Sequence, residues 1–443
     1  MAVMKSRNNS LFLQRGGALI ILVLVLVLAG VASLFSVLDG SDVKIERDKR
    51  SAASLSEAKA ALIGYATRSG LATGTARPGD LPCPDINDDG SSDACAPHAI
   101  GRLPWRTLGI NDLRDGDGER LWYAVSNNFK NNPRVFQLNS DTLGSISLRD
   151  STGNMLNDGS VDTGLIAAVL SPGAPITRQD GVNQVRDIAN INNPINYLDN
   201  VLGEDNQNFI NGNSNGFIAG PIKDANGSVV LNDKVISITQ NELFVPVEQR
   251  VAMAAANALL DYFCGLGNAN YVTKTCLGAG GVRSYPRPAN FADASCLGLV
   301  DISASCSSDM AINHGRLPAN VSVGWTPTSI LRGDTSTGNW FQQNGWREQI
   351  YYAVAPACVF GTTDCDGAGG LIILNTSLVS SINTGAVVIA SGKRQLGQLR
   401  ITNADKSNEA NFVEDENLTV LDNIYTRISL LGIIFNDRVA SIP

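Results

Sequence analysis

This sequence has few histidines and no excess of positive charge, and each of these features argues against one class of function. The chain of 443 residues contains two histidines, His98 and His314, and its formal net charge is −8. Because an acidic chain does not attract phosphate backbones, the charge argues against nucleic-acid binding. Most pairs of a nucleophile and a base need a histidine, so the composition also argues against that class of enzyme. We expect both histidines to be structural.

Other signatures of enzymes and of zinc sites are absent as well. The sequence has no His-Glu-x-x-His motif, no Gly-Lys-Ser/Thr phosphate loop and no Cys-x-x-Cys pair. A hydrolase built on paired carboxylates stays open, because the 42 acidic residues offer pairs that become neighbours only in the fold. Aromatic residues make up 6% of the chain, which is little for a sugar-binding cleft. We therefore predict that the protein is not an enzyme.

The sequence has one long apolar run, which lies near its N-terminus. Residues 18–38 carry no charge and are mostly Leu, Val and Ile. As a helix that rises about 1.5 Å per residue, this run can cross a hydrocarbon core of roughly 30 Å. Lys5, Arg7 and Arg15 precede the run and acidic residues follow it, which predicts a cytoplasmic N-terminus and an exported remainder. The run is too long for a cleaved secretory signal.

The residues that follow the apolar run continue the helical pattern. Between residues 41 and 67 there is no proline, and apolar residues such as Ile45, Leu55 and Leu62 recur at helical spacing among charged ones. The sequence therefore predicts one helix from Ala18 to about Arg68, with a transmembrane half and an amphipathic half.

Immediately before the apolar run stands Arg15-Gly16-Gly17-Ala18, which ends a short basic leader. This leader resembles that of type IV pilins and type II secretion pseudopilins. The resemblance implies that a prepilin peptidase cleaves between Gly17 and Ala18 and that the new Ala18 amine is methylated. It also implies a long helix, half buried and half protruding, that binds other pilin subunits. A plain single-pass anchor with a chance Gly-Gly is the alternative.

The sequence departs from the pilin pattern at one position. Most members of the family have a glutamate at the fifth mature residue, where it neutralises the N-terminal amine of a neighbouring subunit. Here that residue is Leu22. Because an unpaired charge in an apolar bundle is costly, the resemblance implies a minor subunit at the filament tip rather than a repeating body subunit.

Several short motifs occur twice and in the same order, which indicates an internal duplication. The clearest is Gly-Arg-Leu-Pro, at residues 101–104 and 315–318. The other matches pair 58–65 with 255–262, Arg77-Pro78 with Arg287-Pro288, 116–125 with 345–354, 168–171 with 388–391, and Glu204-Asp205 with Glu414-Asp415.

Each copy has the pattern of a helix, a loop with cysteines and short strands separated by Gly, Asn, Asp and Pro turns. We predict the α+β class: a long pilin-like helix and two tandem modules of a helix and an antiparallel sheet, stapled by disulfides. The boundary is expected near Pro246, between a strand at 235–245 and a helix at 247–263. The predicted order is a basic leader at 1–17, a transmembrane helix at 18–38, a first module at 39–246 and a second at 247–443.

The eight cysteines all follow the apolar run, so we expect them on the exported side of the membrane, where disulfides persist. Eight cysteines allow many connectivities, but these fall into close sequential pairs. The predicted bonds join Cys83 to Cys95, Cys264 to Cys276, Cys296 to Cys306 and Cys358 to Cys365.

The first cysteine loop has the spacing of a calcium-binding loop. Oxygen ligands are predicted from Asp85, Asn87, Asp89, Ser91 and Asp93, with Gly90 at the sharp turn. The last position of the motif is Ala96 rather than glutamate, so the usual bidentate ligand is missing. Two interpretations stay open: a site for calcium, the one cofactor that the sequence suggests, and a turn whose side chains cap their own backbone.

Together these features predict a structural subunit, a minor pilin or pseudopilin near the tip of a type IV pilus or a type II secretion pseudopilus. The expected partners are other pilin subunits, bound through the N-terminal helix, the prepilin peptidase and the inner membrane. The expected location is the inner membrane, single-pass with a cytoplasmic N-terminus, and then a periplasmic or extracellular filament. The alternative is a stand-alone membrane-anchored protein with an extracytoplasmic binding or adhesive head.

Overall fold

The structure is a computed structural model. It describes residues 15–68, 77–96, 99–134, 137–158, 163–208, 216–278, 281–336, 338–361, 365, 370–374, 381–419, 423–427 and 435–442. For residues 15–21 and 29–41 it describes the backbone alone. Most of the predicted leader and most side chains of the predicted transmembrane segment therefore lie outside the described residues.

The first helix, α1 (Arg15–Arg68), has 54 residues. Its C-terminal part is packed against the rest of the protein, because Leu55, Ala58, Leu62 and Ala66 are buried at helical spacing. Every side chain from 42 to 50 is exposed. Among the described residues, no helix is both long and apolar enough to cross a membrane.

The first unit ends at Thr239. After α1 it contains, in chain order, β1 (Ile100–Arg102), α2 (Trp105–Leu108), β2 (Trp122–Val125), β3 (Ser147–Arg149), β4 (Met155–Asp158), β5 (Ala167–Ser171), β6 (Asn200–Val201), β7 (Glu204–Asp205), β8 (Phe217–Ile218), β9 (Ile222–Lys223), β10 (Val229–Leu231) and β11 (Lys234–Ile238).

The second unit begins at Gln240. It contains α3 (Gln240–Cys264), β12 (Ala269–Asn270), β13 (Thr275–Cys276), β14 (His314–Arg316), α4 (Trp340–Gln343), β15 (Ile350–Val354), β16 (Leu371–Leu374), β17 (Ser381–Thr384), β18 (Ala386–Ala390), α5 (Asn403–Lys406), β19 (Ile424–Thr426) and β20 (Arg438–Ile442).

The two units have the same sheet topology. Sheet A of the first unit has four antiparallel strands in the order β1-β2-β5-β11, and sheet B of the second has the order β14-β15-β18-β20. Each unit also has a three-stranded sheet, β4-β3-β8 and β17-β16-β19, with one parallel pair. The predicted α+β class is confirmed.

The helix α3 begins seven residues earlier than expected, and β11 ends at Ile238 rather than at residue 245. Thr239 and Glu242 form a capping box, in which each side chain accepts a hydrogen bond from the other residue's backbone N–H. Pro246 lies inside the helix rather than before it, so the expected boundary between 246 and 247 falls within α3. Buried apolar residues on both sides of Pro246, among them Phe244 and Val247, favour this continuous helix.

One hydrophobic core is shared by both helices and both sheets. Alternate residues of β2 and β5 face it, such as Tyr123 and Val169, together with Leu62 and Leu259 of the helices. All residues of β15 and β18 belong to it as well. α1 packs on β5 and β11, α3 packs on β18 and β20, and the two helices contact each other. The opposite face of sheet A carries a second core that includes Trp122, Leu170, Tyr197 and Phe217.

The repeated Gly-Arg-Leu-Pro motif has the same environment in both units. Arg102 exchanges two backbone hydrogen bonds with Asp85, and Arg316 exchanges two with Ala289. A Cβ atom on Gly101 would lie 2.5 Å from the carbonyl oxygen of Asp85. On Gly315 it would lie 2.3 Å from the corresponding oxygen of Ala289. Only glycine fits such a close approach of two backbones.

The structural register corrects three of the sequence matches. The buried hydroxyl of Tyr123 donates to the carbonyl of Pro82, and that of Tyr352 donates to the carbonyl of Pro286. Pro82-Cys83-Pro84 therefore corresponds to Pro286-Arg287-Pro288, and Arg77-Pro78 does not match Arg287-Pro288. Strand pairing likewise makes Ser171 equivalent to Ala390, because each lies opposite the first residue of the last strand. Glu414 corresponds to Asp199, as the hydrogen bonds below show, and not to Glu204.

Candidate functional site

The predicted processing site lies at the start of α1. The helix begins at Arg15, so Gly17 and Ala18 fall in its first turn, where the structure describes the backbone alone. Cleavage between them and methylation of Ala18 stay predictions.

In the predicted calcium loop, Asp85 is the buried residue. Its carboxylate accepts hydrogen bonds from the backbone N–H of Asp88 at 2.7 Å and of Gly90 at 2.6 Å. Burial raises the pKa of Asp85, although these two bonds act against it. A Cβ atom on Gly90 would meet the ring of Trp105 at 2.6 Å, so the turn also packs against that ring.

Three other side chains of this loop, those of Asn87, Asp89 and Asp93, also bind its backbone. Asn87 accepts from the N–H of Asp89 at 3.0 Å, and Asp89 accepts from the N–H of Ser91 at 2.7 Å. Asp93 accepts from the N–H of Ile86 at 2.7 Å. In the described part of the chain, no three His, Cys, Asp or Glu side chains are grouped so as to hold a metal ion. The contacts are those of the self-capped turn, and calcium binding stays a prediction.

Of the two histidines, His98 lies outside the described residues. His314 opens β14, where its Nδ1 is 3.6 Å from a carboxylate oxygen of Glu409 and its ring stacks on Tyr351. Among the described residues, no hydrogen bond joins His314 to a serine or threonine hydroxyl, and every described cysteine is in a disulfide. The imidazole is therefore placed by packing on the sheet.

The predicted disulfide pairing is confirmed. Bonds link Cys83 to Cys95, Cys264 to Cys276, Cys296 to Cys306 and Cys358 to Cys365. Each bond closes a short loop, and in the chain-entropy account such a bond contributes about 3 kcal/mol. Because Cys83 occupies the position of Arg287, the first bond is not the equivalent of Cys296–Cys306.

A buried polar network that no sequence motif indicated occurs once in each unit. In the first unit, Asn206 donates to Asp233 at 2.8 Å, and its amide oxygen accepts from the N–H of Ile218 at 2.9 Å. The carboxylate of Asp233 also accepts from the N–H of Asp199 at 2.8 Å. Gln184 donates to Asp199 at 2.8 Å.

The second unit repeats this network bond for bond. Asn417 donates to Asp437 at 2.9 Å and accepts from the N–H of Thr426 at 2.8 Å. Asp437 accepts from the N–H of Glu414 at 3.2 Å, and Gln398 donates to Glu414 at 2.9 Å. Both networks fasten the long segment between the third and fourth strands of their sheet.

The two arginines of the Gly-Arg-Leu-Pro motifs have equivalent positions beside these networks. The guanidinium of Arg102 lies 4.1 Å from the ring centroid of Trp122 and 4.0 Å from that of Tyr197. The guanidinium of Arg316 lies 3.9 Å from Phe291 and 5.3 Å from Phe412. Such stacking stabilises a desolvated cation.

Each network contains a carboxyl pair. Burial raises the pKa of Asp233 and of Asp437 well above the usual range, and the neighbouring acid, Asp199 or Glu414, adds to the shift. Asp199 and Asp233 are fully buried, and Asp437 is 2% exposed. Asp233 and Asp437 accept hydrogen bonds from backbone N–H groups inside the protein.

Polar contacts also join the two units. Asp141 of the first unit accepts from Gln349 at 2.8 Å and from Arg400 at 3.1 Å. Asn139 donates to the carbonyl of Asn344 at 2.9 Å. Because Arg400 also belongs to the polar network of the second unit, the interface and that network share one residue.

Comparison with protein-family models, with curated proteins and with solved structures finds no match to this chain.

Proposed function

We propose that the chain is a structural subunit of a membrane-anchored filament, a minor pilin or pseudopilin that assembles near the tip. The observation that supports the proposal most is the exposure along α1: Leu55, Ala58, Leu62 and Ala66 are buried, while all side chains from 42 to 50 are exposed. Seven consecutive apolar side chains, residues 22–28, are exposed as well. An exposed apolar helix of this length needs a cover, which partner helices or lipid provide.

In this proposal, the peptidase cleaves after Gly17, residues 18–38 bundle with the helices of other subunits, and the two units form the exposed head. The protein is first a single-pass protein of the inner membrane and then part of a periplasmic or extracellular filament. The repeated networks and the four disulfides serve the stability of the head outside the cell. Calcium in the loop at 85–93 is part of the proposal only as a local stabiliser.

The test is mass spectrometry of the mature N-terminus in cells with an active prepilin peptidase. We expect a chain that begins with methylated Ala18. Gly17→Val should leave the leader in place, because the resemblance puts this glycine directly before the cleaved bond, whereas the control Gly16→Ala should be processed. An intact leader on the unmodified chain contradicts the proposal and favours a stand-alone anchored binding or adhesive protein.

A further inference from the structure

In each buried network two carboxyl groups lie side by side, because each one binds the backbone next to the other. In acid pair A, which is Asp199 and Asp233, Asp233 accepts from the N–H of Asp199 at 2.8 Å. Asp199 in turn accepts from the N–H of the residue before Asp233, also at 2.8 Å. Acid pair B, which is Glu414 and Asp437, has the same reciprocal contacts at 3.2 and 3.3 Å.

The hydrogen-bond donors are shared unequally within acid pair A. Both carboxylate oxygens of Asp199 accept a bond, because Gln184 donates to Oδ1 at 2.8 Å and the backbone donates to Oδ2. Asp233 receives its donors, the amide of Asn206 and the N–H of Asp199, on Oδ2 alone. Its Oδ1 is buried and has no hydrogen-bond partner among the described residues. An ionised Asp233 therefore has a buried charged oxygen without a donor, which is costly.

Acid pair B repeats this unequal sharing. Gln398 donates to Oε1 of Glu414 at 2.9 Å, and a backbone N–H donates to its Oε2. Asp437 accepts from Asn417 and from the N–H of Glu414 on Oδ2. Its Oδ1 is again buried without a partner in the described part of the chain. The same oxygen lacks a donor in both copies, so this is a property of the network.

The positive charges around acid pair A are too few for two carboxylates. Arg186 faces both acids and Arg178 faces Asp199, but each of these arginines also pairs with other acids. Lys234, the residue after Asp233, binds a carboxylate of α1 instead. Burial raises the pKa of Asp199 to about 6 and that of Asp233 well above the usual range. A second charge in this pair has no partner.

Acid pair B has the same kind of surroundings. Arg400 faces this pair but also binds Asp141 of the first unit at 3.1 Å. Arg438, the residue after Asp437, lies 3.8 Å from a carboxylate of α3. The hydroxyl of Tyr351 faces Asp437 and is neutral, because burial raises its pKa well above the usual range. Burial likewise raises the pKa of Asp437 well above that of an exposed acid.

We propose that each network holds one proton, on Oδ1 of Asp233 and of Asp437, and that loss of this proton releases the segment between the third and fourth strands. The proton is shared with the neighbouring carboxylate, so that each acid pair carries one charge. In the second unit the released segment includes Arg400, which binds Asp141, and its release also loosens the contact between the units. The head is then a pH-sensitive structure, whether or not it belongs to a filament.

The direction of the pH effect follows from the two states. An unfolded chain loses the aspartate proton near about pH 4, whereas the folded chain keeps it to a higher pH. The stabilisation is therefore complete below about pH 4 and is lost as the pH rises. For each retained proton the folding equilibrium constant should fall about tenfold per pH unit in this range.

The test is urea denaturation of the full chain at about pH 5 and about pH 8. Asp233→Asn and Asp437→Asn each put an amide nitrogen at the position of Oδ1, so each imitates the protonated acid without holding a proton. At about pH 5 both variants should be as stable as the unmodified chain. At about pH 8 each should fold with an equilibrium constant at least about tenfold larger than that of the unmodified chain.

The matched control is Asp199→Asn in the same acid pair. Both oxygens of Asp199 accept hydrogen bonds, so its amide nitrogen has to face an N–H donor. This variant should lower the folding equilibrium constant at least about tenfold at about pH 5. Equal losses for Asp199→Asn and Asp233→Asn at that pH overturn the proposal. So does an Asp233→Asn chain that is no more stable than the unmodified chain at about pH 8.

Infrared spectroscopy detects the protons in the folded chain and does not depend on denaturation. The measurement uses Glu248→Gln at about pH 7, because burial raises the pKa of Glu248 to about 7 and its own proton would otherwise contribute. We expect a C=O band of protonated carboxyl groups, which Asp233→Asn and Asp437→Asn should each reduce by about half. A spectrum with bands of ionised carboxylates alone contradicts the proposal.

Discussion

The two units of the head have equivalent buried hydrogen-bond networks but different surface residues. Asn206 and Asn417 make the same three kinds of hydrogen bond at nearly the same distances, although few residues around them are shared. On α1, Arg47 and Asp48 form ion pairs with Asp117 and Lys234, whereas the equivalent positions of α3 are Phe244, which is buried, and Val245. The buried polar groups must be paired, because an unpaired buried group is costly, whereas exposed positions can differ between the two units without this cost.

The largest loss of stability should come from breaking the buried polar network that occurs in both units. Asn206→Ala and Asn417→Ala each remove the side chain that binds the backbone N–H and carbonyl of Ile218 or Thr426, together with one hydrogen bond to a buried carboxyl group. Each should therefore lower the free energy of unfolding by about 3 kcal/mol. Urea denaturation measures this. If one variant is strongly destabilised and the other is unaffected, the two networks are not equivalent.

Alanine at the two motif glycines should have the next largest effect. In Gly101→Ala and Gly315→Ala the new Cβ meets a backbone oxygen at 2.5 and 2.3 Å, and relieving the clash should cost about 2 kcal/mol in each unit. Gly64→Ala is the matched control, because nothing lies within 4 Å of its Cβ in the helix α1. It should raise stability by about 1 kcal/mol. A loss in the control and none in the motif variants would refute this account of the motif.

The pH dependence of the free energy of unfolding tests the buried acid Glu248. Burial raises the pKa of Glu248 to about 7, above its value in the unfolded chain. A raised acid pKa means that the folded state keeps a proton which the unfolded state loses. The stabilisation is therefore complete below about pH 4.5 and is lost as the pH rises towards 7. Glu248→Gln should reduce this loss by about 2 kcal/mol in denaturation at a series of pH values. Identical pH profiles for the two chains would contradict the assignment.

The smallest effect is expected in the loop that the second unit lacks. Asp85→Ala removes the acceptor of two backbone N–H groups and should cost about 1 kcal/mol without calcium, whereas the exposed Asp89→Ala should cost almost nothing. If calcium binds, it should raise the Tm of the unmodified chain, and both variants should lose that rise. A Tm that calcium leaves unchanged would remove the calcium interpretation.

Sequence reasoning succeeded where the determinants are close together along the chain. The disulfides join neighbouring cysteines, and Gly-Arg-Leu-Pro recurs without a gap. The start of α3 differs from the prediction because Thr239 and Glu242 cap the helix seven residues earlier and the helix continues through Pro246. The networks were missed because their members lie far apart and the loops between them differ in length. Their best signal is Asn-Asp-Lys-Val-Ile-Ser-Ile at 232–238, which recurs as Asn-Asp-Arg-Val-Ala-Ser-Ile at 436–442.

The most direct test of the central claim is immunogold electron microscopy of sheared filaments, with an antibody raised against the head. A minor subunit that caps the filament predicts gold particles at filament ends, and Leu22→Glu, which supplies the missing carboxylate, should allow some labelling along the shaft. Gold that remains on membranes and never on filaments would contradict the account.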